Sequence, residues 1–446
     1  MRLGGGLLAV TGLALVLAWP AHDTARPLTL DGPKRQAKER VAFVWQGDGT
    51  RLARVDERTL TRIGPLSPRL GFALSAWALA RPAGNLLAVA THRYANESKD
   101  FLRFVDLRSL RLVRRTVDLD GYGRALLWAR LDRLVAIVGN CCAPGLSVVT
   151  VDTGARRILS RHELAGDVLG PVGRAAGALV LLETPRNEIG PARPDVVAAD
   201  GSVRSVGLDE VRAGSSWPPE GFDTPIGTTR QPALAVDPAG NRAFVIQPDG
   251  PAAEIDLRTL AVSYHDLSAP RSLLARLDGW LTPTARAKGL NGPQWRGLWL
   301  GDGLLAVTGT EETASTDANN QLVGSAAPAG LAIVDTRDWT IRMLDRGADT
   351  VTPAEGLLLA TGRRWSSTEQ RASGMGLAAY GPDRSLRFRL FAGASSWVLA
   401  VSMGRAYVQD PGNEHRALVV DLASGKVVGT RSSPVPTPLL ADGPDW

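Results

Sequence analysis

The sequence predicts an all-β chain folded as a single β-propeller of eight four-stranded blades, with seven as the alternative count. Three observations predict this. A short hairpin motif recurs along the chain, an apolar strand precedes most copies, and strand patterns run throughout without a helical segment between them.

The clear copies of the hairpin are RVDERTLTRI from Arg54, FVDLRSLRLV from Phe104, EIDLRTLAVS from Glu254 and IVDTRDWTIR from Ile333. Each has apolar residues, an aspartate, a short polar turn and an alternating strand. Weaker copies begin at Thr150, Val197, Ala379 and Val419. With Asp56, Asp106, Asp152, Asp200, Asp256, Asp335, Gly381 and Asp421 as turn positions, the intervals are 50, 46, 48, 56, 79, 46 and 40 residues. An all-strand period of this size is the signature of a propeller, whose blades are four-stranded sheets around an axis. The turn aspartate is read as turn chemistry rather than metal binding, because its carboxylate accepts from the backbone just downstream and fixes the hairpin.

The hairpin supplies strands C and D of a blade. Strand B is the apolar run upstream, as in LLAVATH from Leu86, RLVAIVG from Arg133, ALVLLET from Ala178, RAFVIQP from Arg242, LLAVTGT from Leu304, LLLATG from Leu357 and RAYVQD from Arg405. Strand A precedes it and often carries a tryptophan: Trp77, Trp128, Trp299 or Trp397. Those tryptophans are expected to pack between neighbouring blades. The segment from Val41 supplies B, C and D but no A, while the segment after Thr437 supplies a lone strand. Pairing the two closes the ring and removes exposed sheet edges.

The chain has 446 residues, 22% of them charged and 44% hydrophobic, with a formal net charge of +6. That length suits one repeat-built domain, here residues 41–446. The positive charge is nearly all arginine, since Lys34, Lys38, Lys99, Lys288 and Lys426 are the only lysines. The arginines are scattered, and the one compact basic run, Lys34 to Arg40, lies in a linker spanning residues 26–40. Nucleic acid is therefore not expected as a partner. Residues 1–25 have the layout of a secretory signal: one arginine, an apolar run from Leu7 to Trp19, then proline and small residues. Trp19 and Asp23 spoil the cleavage triplets ending at Ala21 and Ala25, so an uncleaved anchor, the sole expected membrane contact, is the alternative. The protein is expected outside the cytoplasm, secreted or in the cell envelope, as a monomer.

The stretch LAVDPAGNRAFVIQPDG from Leu234 resembles the secreted bacterial propellers of the YVTN and WD40-like repeat type, and the resemblance extends over nearly all of the chain after about residue 41. It implies a ring-shaped, exported binding or scaffold protein; propellers host many unrelated activities. VVDLASGKVVG from Val419 is also similar to the blade motif of quinoprotein alcohol dehydrogenases. Gly429, however, stands where that family has its docking tryptophan, so no quinone is expected.

In a four-stranded meander the B–C and D–A connections share one face. Here those connections read as long and irregular, whereas the C–D turns are short and uniform, so ligand binding is expected on the B–C face. The candidates there are His92, Arg93, Tyr94, Asn96 and Glu97; Asn140; Arg186 and Glu188; Glu311 and Glu312; Arg363, Arg364 and Trp365; and His415. No residue pattern points to catalysis. There is no His-x-x-x-His or Cys-x-x-Cys spacing for zinc, no Gly-x-Ser-x-Gly elbow and no phosphate-cradling glycine loop, so neither a metal nor a cofactor is expected. The expected partner is a protein, peptide or glycan. The rival reading is a hydrolase or oxidoreductase with a polar funnel built from His92, Glu97, Glu188, Glu311 and His415.

Cys141 and Cys142 are the only cysteines and are adjacent, in a turn marked by Gly139, Asn140, Pro144 and Gly145. An exported protein meets oxidising conditions, so the pair is read as a vicinal disulfide, with two free thiols as the alternative.

Overall fold

The computed structural model describes residues 39–46, 49–56, 58–71, 85–91, 99–130, 132–139, 145–168, 172–175, 178–216, 227–248, 250–267, 293–316, 322–366, 369–432, 435 and 437–438. Among them there is no helix; the chain is an all-β propeller of antiparallel meanders. The signal segment and residues 26–38 of the linker lie outside the described residues, whereas Glu39 and Arg40, expected in the linker, already belong to the first strand.

The hydrogen-bonded sheets are numbered here in chain order. Sheet I runs, from A to D, Thr437–Pro438, Glu39–Gln46, Gly49–Asp56 and Arg62–Ile63. Sheet II holds Leu86–Thr91, Phe101–Asp106 and Arg111–Asp118, and the expected A strand around Trp77 lies outside the described residues. Sheet III is Tyr122–Arg130, Arg133–Gly139, Leu146–Asp152 and Arg157–Glu163. Sheet IV is built on Gly173–Ala175, Ala178–Thr184, Ile189–Val197 and Val203–Ser205, with Leu208–Ser216 added along the third strand. Sheet V is Ala233–Asp237, Arg242–Ile246, Ala252–Asp256 and Val262–His265.

Sheet VI contains two meanders. The first is Pro293–Gly301, Leu304–Thr316, Leu322–Asp335 and Thr340–Asp345. The second is Thr350–Ala354, Leu357–Ser366, Glu369–Tyr380 and Leu386–Leu390, with Gly393–Ala394 appended. Sheet VII is Val398–Ser402, Arg405–Asp410, Asn413–Asp421 and Lys426–Ser432.

The hairpin turns behave as their aspartates predict. Asp56 Oδ1 accepts from the Thr59 N–H at 2.7 Å, Asp106 from Ser109 at 2.7 Å, Asp256 from Thr259 at 2.7 Å and Asp421 from Ser424 at 2.8 Å. Hydrogen bonds from the Thr59 and Ser424 hydroxyls, the leading cause at Asp56 and Asp421, and these backbone bonds, the leading cause at Asp106 and Asp256, favour the ionised form and hold all four carboxyls below the usual aspartate range. In the copy with Gly381 at the turn, Asp383 takes over and accepts from Ser385 at 3.1 Å.

Strand B is apolar throughout because it is buried on both faces. In sheet III, Leu134, Ala136 and Val138 pack against Ala88, Ala90 and Phe104 of sheet II. The intervening Val135 and Ile137 pack against Leu179 and Leu181 of sheet IV. The same exchange links IV to V, V to VI, the two halves of VI, VI to VII, VII to I and I to II. Burying a large apolar side chain contributes about 1.5–3 kcal/mol. These inter-sheet layers, rather than any one sheet, therefore hold the ring. Strand D is the opposite case: every residue of Arg157–Glu163 is exposed.

The ends meet as expected. Ala42 pairs with Pro438 and Phe43 with Thr437, so the last described strand completes the first sheet. Innermost strands approach very closely where glycine permits it. A Cβ on Gly297 would stand 2.7 Å from the Leu234 carbonyl oxygen, and one on Gly173 would stand 2.2 Å from Val236 Cγ2.

The scattered arginines have a structural role that the sequence does not reveal. Arg54 of sheet I donates to the Arg108 carbonyl in the C–D turn of sheet II at 2.7 Å. Arg204 of sheet IV donates to the Arg258 and Leu257 carbonyls in the C–D turn of sheet V, both at 2.8 Å. Arg431 of sheet VII donates to Thr61 Oγ1 of sheet I at 3.0 Å.

Two expectations are corrected. The connections from Gly309, Thr184, Arg363 and Asp410 are largely strand rather than irregular loop: Leu304–Thr316 and Leu322–Asp335 form one long hairpin, and Leu357–Ser366 and Glu369–Tyr380 another. Their Thr, Ser, Ala and Gly residues read as loop composition, yet the ladder hydrogen bonds continue beyond the apolar core because each strand finds a partner. Among the tryptophans, Trp299 does pack between blades, its ring stacked on Phe244 of sheet V at 5.3 Å. Trp397 does not, and is 44% exposed.

Candidate functional site

On the B–C face, the two long hairpins of sheet VI rise past the core and join. Ser325 pairs with Ser366 and Ala326 with Trp365, which links the C strand of one meander to the B strand of the next. The result is a four-stranded extension built from Gly324, Ser325, Ala326 and Ala327 at its centre. Thr313 and Ser325 share a 2.6 Å hydroxyl hydrogen bond across its first hairpin.

Directly paired residues on antiparallel strands point to the same side of a sheet. Glu312 is opposite Ala326, and Ala326 is opposite Trp365, so these three share one side. Trp365 is 44% exposed, and its ring lies 3.6 Å from where a Gly324 Cβ would be. A Cβ there would touch the ring at ordinary van der Waals distance, so the indole lies over the Gly324 strand. Arg363 and Arg364 are exposed immediately before Trp365, and the Arg363 N–H donates to Asp349 Oδ2 at 2.8 Å, which fixes the backbone there. Glu311 is exposed on the first hairpin. The extension thus unites Glu311, Glu312, Arg363, Arg364 and Trp365 from two blades.

The remaining candidates stand apart. Arg186 and Glu188 are exposed in the B–C turn of sheet IV, with Arg186 donating to the Leu164 carbonyl at 3.4 Å. His415 is exposed on sheet VII, 3.6 Å from Glu414. His92, Arg93, Tyr94, Asn96, Glu97, Asn140, Cys141 and Cys142 lie outside the described residues.

One cluster escaped the sequence reading. Glu183, Arg193 and Asp195 lie together on the second and third strands of sheet IV, on the side facing sheet III, and both acids are buried. Arg193 Nε donates to Glu183 Oε2 at 3.0 Å and stands 3.5 Å from Asp195 Oδ1, while the Gly166 N–H donates to Glu183 Oε1. Burial pushes the Asp195 carboxyl up to about 8, helped by hydrogen bonding to Glu183. Burial opposes ionisation of Glu183 too, but hydrogen bonds from Asp195, Arg193 and Gly166 outweigh it and hold Glu183 below its ordinary value. Asp195 thus keeps its proton beside an ionised Glu183; both acids are buried between blades, while the Arg193 side chain is 40% exposed. Its signal was available: ALVLLET places a glutamate in a strand buried on both faces, where a charge must find a partner.

A second polar cluster joins the halves of sheet VI. Tyr380 Oη donates to Asp345, and Arg389 contacts the same carboxylate at 2.6 Å. Burial and the Asp345 charge raise the Tyr380 hydroxyl to about 12, so it remains a donor.

No family model and no curated protein sequence matches the chain. Solved structures do resemble it. Dihydro-heme d1 dehydrogenase NirN in complex with DHE superposes with a TM-score of 0.50 at 12% identity, covering 92% of this chain and 78% of that one. The polysaccharide lyase Uly1 gives 0.45 at 11% identity, covering 88% and 96%. A protein from Lactobacillus plantarum gives 0.43 at 11% identity, covering 81% and 97%. The first likeness, at so low an identity, is one of fold: this chain has the architecture of a multi-blade β-propeller.

Proposed function

We propose that the protein is an exported, eight-bladed propeller acting as a binding or scaffold module, which recognises a protein, peptide or glycan on its B–C face. The observation that carries this is the joined extension of sheet VI. Two blades each lengthen one hairpin, and the two pair into a platform that leaves Trp365, Arg363 and Arg364 exposed. Raising four strands above a core that does not need them, with a tryptophan left outside, is the geometry of a recognition surface. Eight blades are supported by eight inter-sheet apolar layers among the described residues, each joining one meander to the next around to sheet I.

Export rests on residues 1–25, and a mass for the extracytoplasmic protein that begins near residue 22 or 26 would establish a cleaved signal. Of the funnel residues of the hydrolase or oxidoreductase reading, Glu188, Glu311 and His415 are exposed and stand apart on sheets IV, VI and VII, which favours the binding reading.

The test is a screen of the full chain against peptide, protein and glycan libraries, repeated with Trp365→Ala and, on the opposite face, Arg258→Ala. Loss of the captured ligand in Trp365→Ala alone supports the B–C face. Loss in Arg258→Ala alone overturns it.

A further inference from the structure

We infer that the opposite, C–D face holds a site of its own: a cavity between the two meanders of sheet VI that takes a small organic anion with a carboxylate or phosphate head.

The cavity lies where a repeated packing arrangement is broken. The residue that closes a C–D turn adopts a positive φ, as at Leu60 (52°), Leu110 (53°), Leu260 (61°) and Trp339 (55°). All four side chains enter the apolar layer shared with the preceding sheet. Leu60 joins Tyr407 and Val419 of sheet VII, Leu110 joins Leu52 of sheet I, Leu260 packs on the layer that includes Val196 of sheet IV, and Trp339 stacks on His265 of sheet V at 3.9 Å. Arg384 closes its turn in the same way, with a φ of 64° and its N–H donating to the Gly381 carbonyl at 2.9 Å. Positive φ is uncommon for any residue with a side chain. Here it sets a guanidinium, rather than an apolar plug, against the preceding meander.

The layer is not closed at this point. A cavity of about 230 Å³ is lined by Ile333, Arg342 and Leu344 of the first meander and by Asp383, Arg384 and Ser385 of the second. Ile333 is buried and Leu344 half-buried, which gives the cavity an apolar wall, while Asp383 and Ser385 are exposed at its mouth. The volume falls just below the range of about 300–1,000 Å³ found for drug-sized ligands, so it suits a smaller molecule.

The charge selects an anion. The lining carries two guanidinium groups, Arg342 and Arg384, against one carboxylate. That carboxylate is occupied: Asp383 Oδ1 accepts from the Ser385 N–H at 3.1 Å and from its hydroxyl at 2.8 Å, and stands 3.0 Å from Arg387 Nη2. Asp345, next to Leu344, is likewise matched, by Arg389 at 2.6 Å and by the Tyr380 hydroxyl. Each neighbouring acid thus has an arginine beside it, and Arg342 and Arg384 leave the site positive. A guanidinium presents paired donors that match the two oxygens of a carboxylate or phosphate. Ile333 and Leu344 favour a ligand whose charged head carries an apolar body.

Calorimetric titration of the full chain with phenyl phosphate, benzoate, inorganic phosphate and uncharged phenol tests this, and the first two separate the phosphate from the carboxylate head. At least one of phenyl phosphate and benzoate should bind more than tenfold tighter than phenol. Arg342→Gln and Arg384→Leu should each weaken that binding at least tenfold. Arg384→Leu installs the residue that Leu60, Leu110 and Leu260 supply in other blades, so its melting temperature should not fall. Arg156→Gln removes an arginine with the same positive φ on sheet III and should leave binding unchanged. No binding of either organic anion, binding retained in both Arg342→Gln and Arg384→Leu, or equal loss in Arg156→Gln overturns the proposal. Inorganic phosphate binding as tightly as phenyl phosphate overturns it too, because the apolar wall would then contribute nothing.

Discussion

Glu183 and Asp195 lie side by side, buried on adjacent strands of sheet IV, and share one arginine. Because Asp195 carries its proton up to about pH 8, the folded state binds a proton that the unfolded chain, with its aspartate at 3.8, gives up much earlier. Stability therefore falls as pH rises between about 4 and 8 on account of Asp195. Glu183 acts in the opposite sense: its lowered value adds stability above the ordinary glutamate range, and that contribution is lost as pH falls through the folded value. Asp195→Asn removes the first effect while keeping the shape and a donor. Melting curves from pH 5 to 9 should show the variant gaining on the native protein as pH rises. A difference that stays constant with pH would mean that Asp195 is ionised throughout.

Arg204 closes on two carbonyls of the next blade, and removing it should leave the Leu257 and Arg258 carbonyls without that partner. Hydrogen bonds to charged groups contribute about 1.5–3 kcal/mol each when buried, and this site is half open to water. Arg204→Ala should thus cost about 1–2 kcal/mol in urea unfolding. Arg204→Lys should recover only part, since an ammonium does not present the fork that spans both oxygens.

Trp365→Ala, by contrast, should change unfolding free energy by less than about 1 kcal/mol, because nearly half the side chain is already in water. A cost above about 3 kcal/mol would place the indole in the core and remove it as a binding surface.

Removing the residues after Pro436 deletes the pairing of Thr437 and Pro438 with Phe43 and Ala42. The Glu39–Gln46 strand then becomes a sheet edge, and edges recruit other chains. Size-exclusion chromatography should show aggregation, and melting should lose cooperativity. A monomer with an unchanged melting temperature would show that the ring does not depend on this closure.

For Cys141 and Cys142 the expectation is a vicinal disulfide, checked by intact mass after alkylation of the exported protein. No alkyl group should add without reductant and two should add with it. Two added without reductant would identify free thiols.

What the sequence by itself determined is local. The turn aspartates close hairpins through bonds to residues two or three positions on, so DLRS at Asp106 carries its own geometry wherever it sits. The B strands are equally legible, since LVAIV can only be buried on both sides, and that condition already implies a sheet packed between two others. Closure of the ring followed from a missing strand at one end and a spare one at the other. What only the tertiary structure decided depends on partners distant in sequence. TEETAST and LVGSAAP look like loop, and become strands because each pairs with the other and LVGSAAP pairs in addition, forty residues on, with Ser366 and Trp365. Arg204 has no local feature to mark it as a clamp until the turn at Arg258 is placed beside it. Glu183 announces that it needs a partner but cannot name Arg193 and Asp195, since strand register, fixed by packing on both faces, sets which residues lie alongside it.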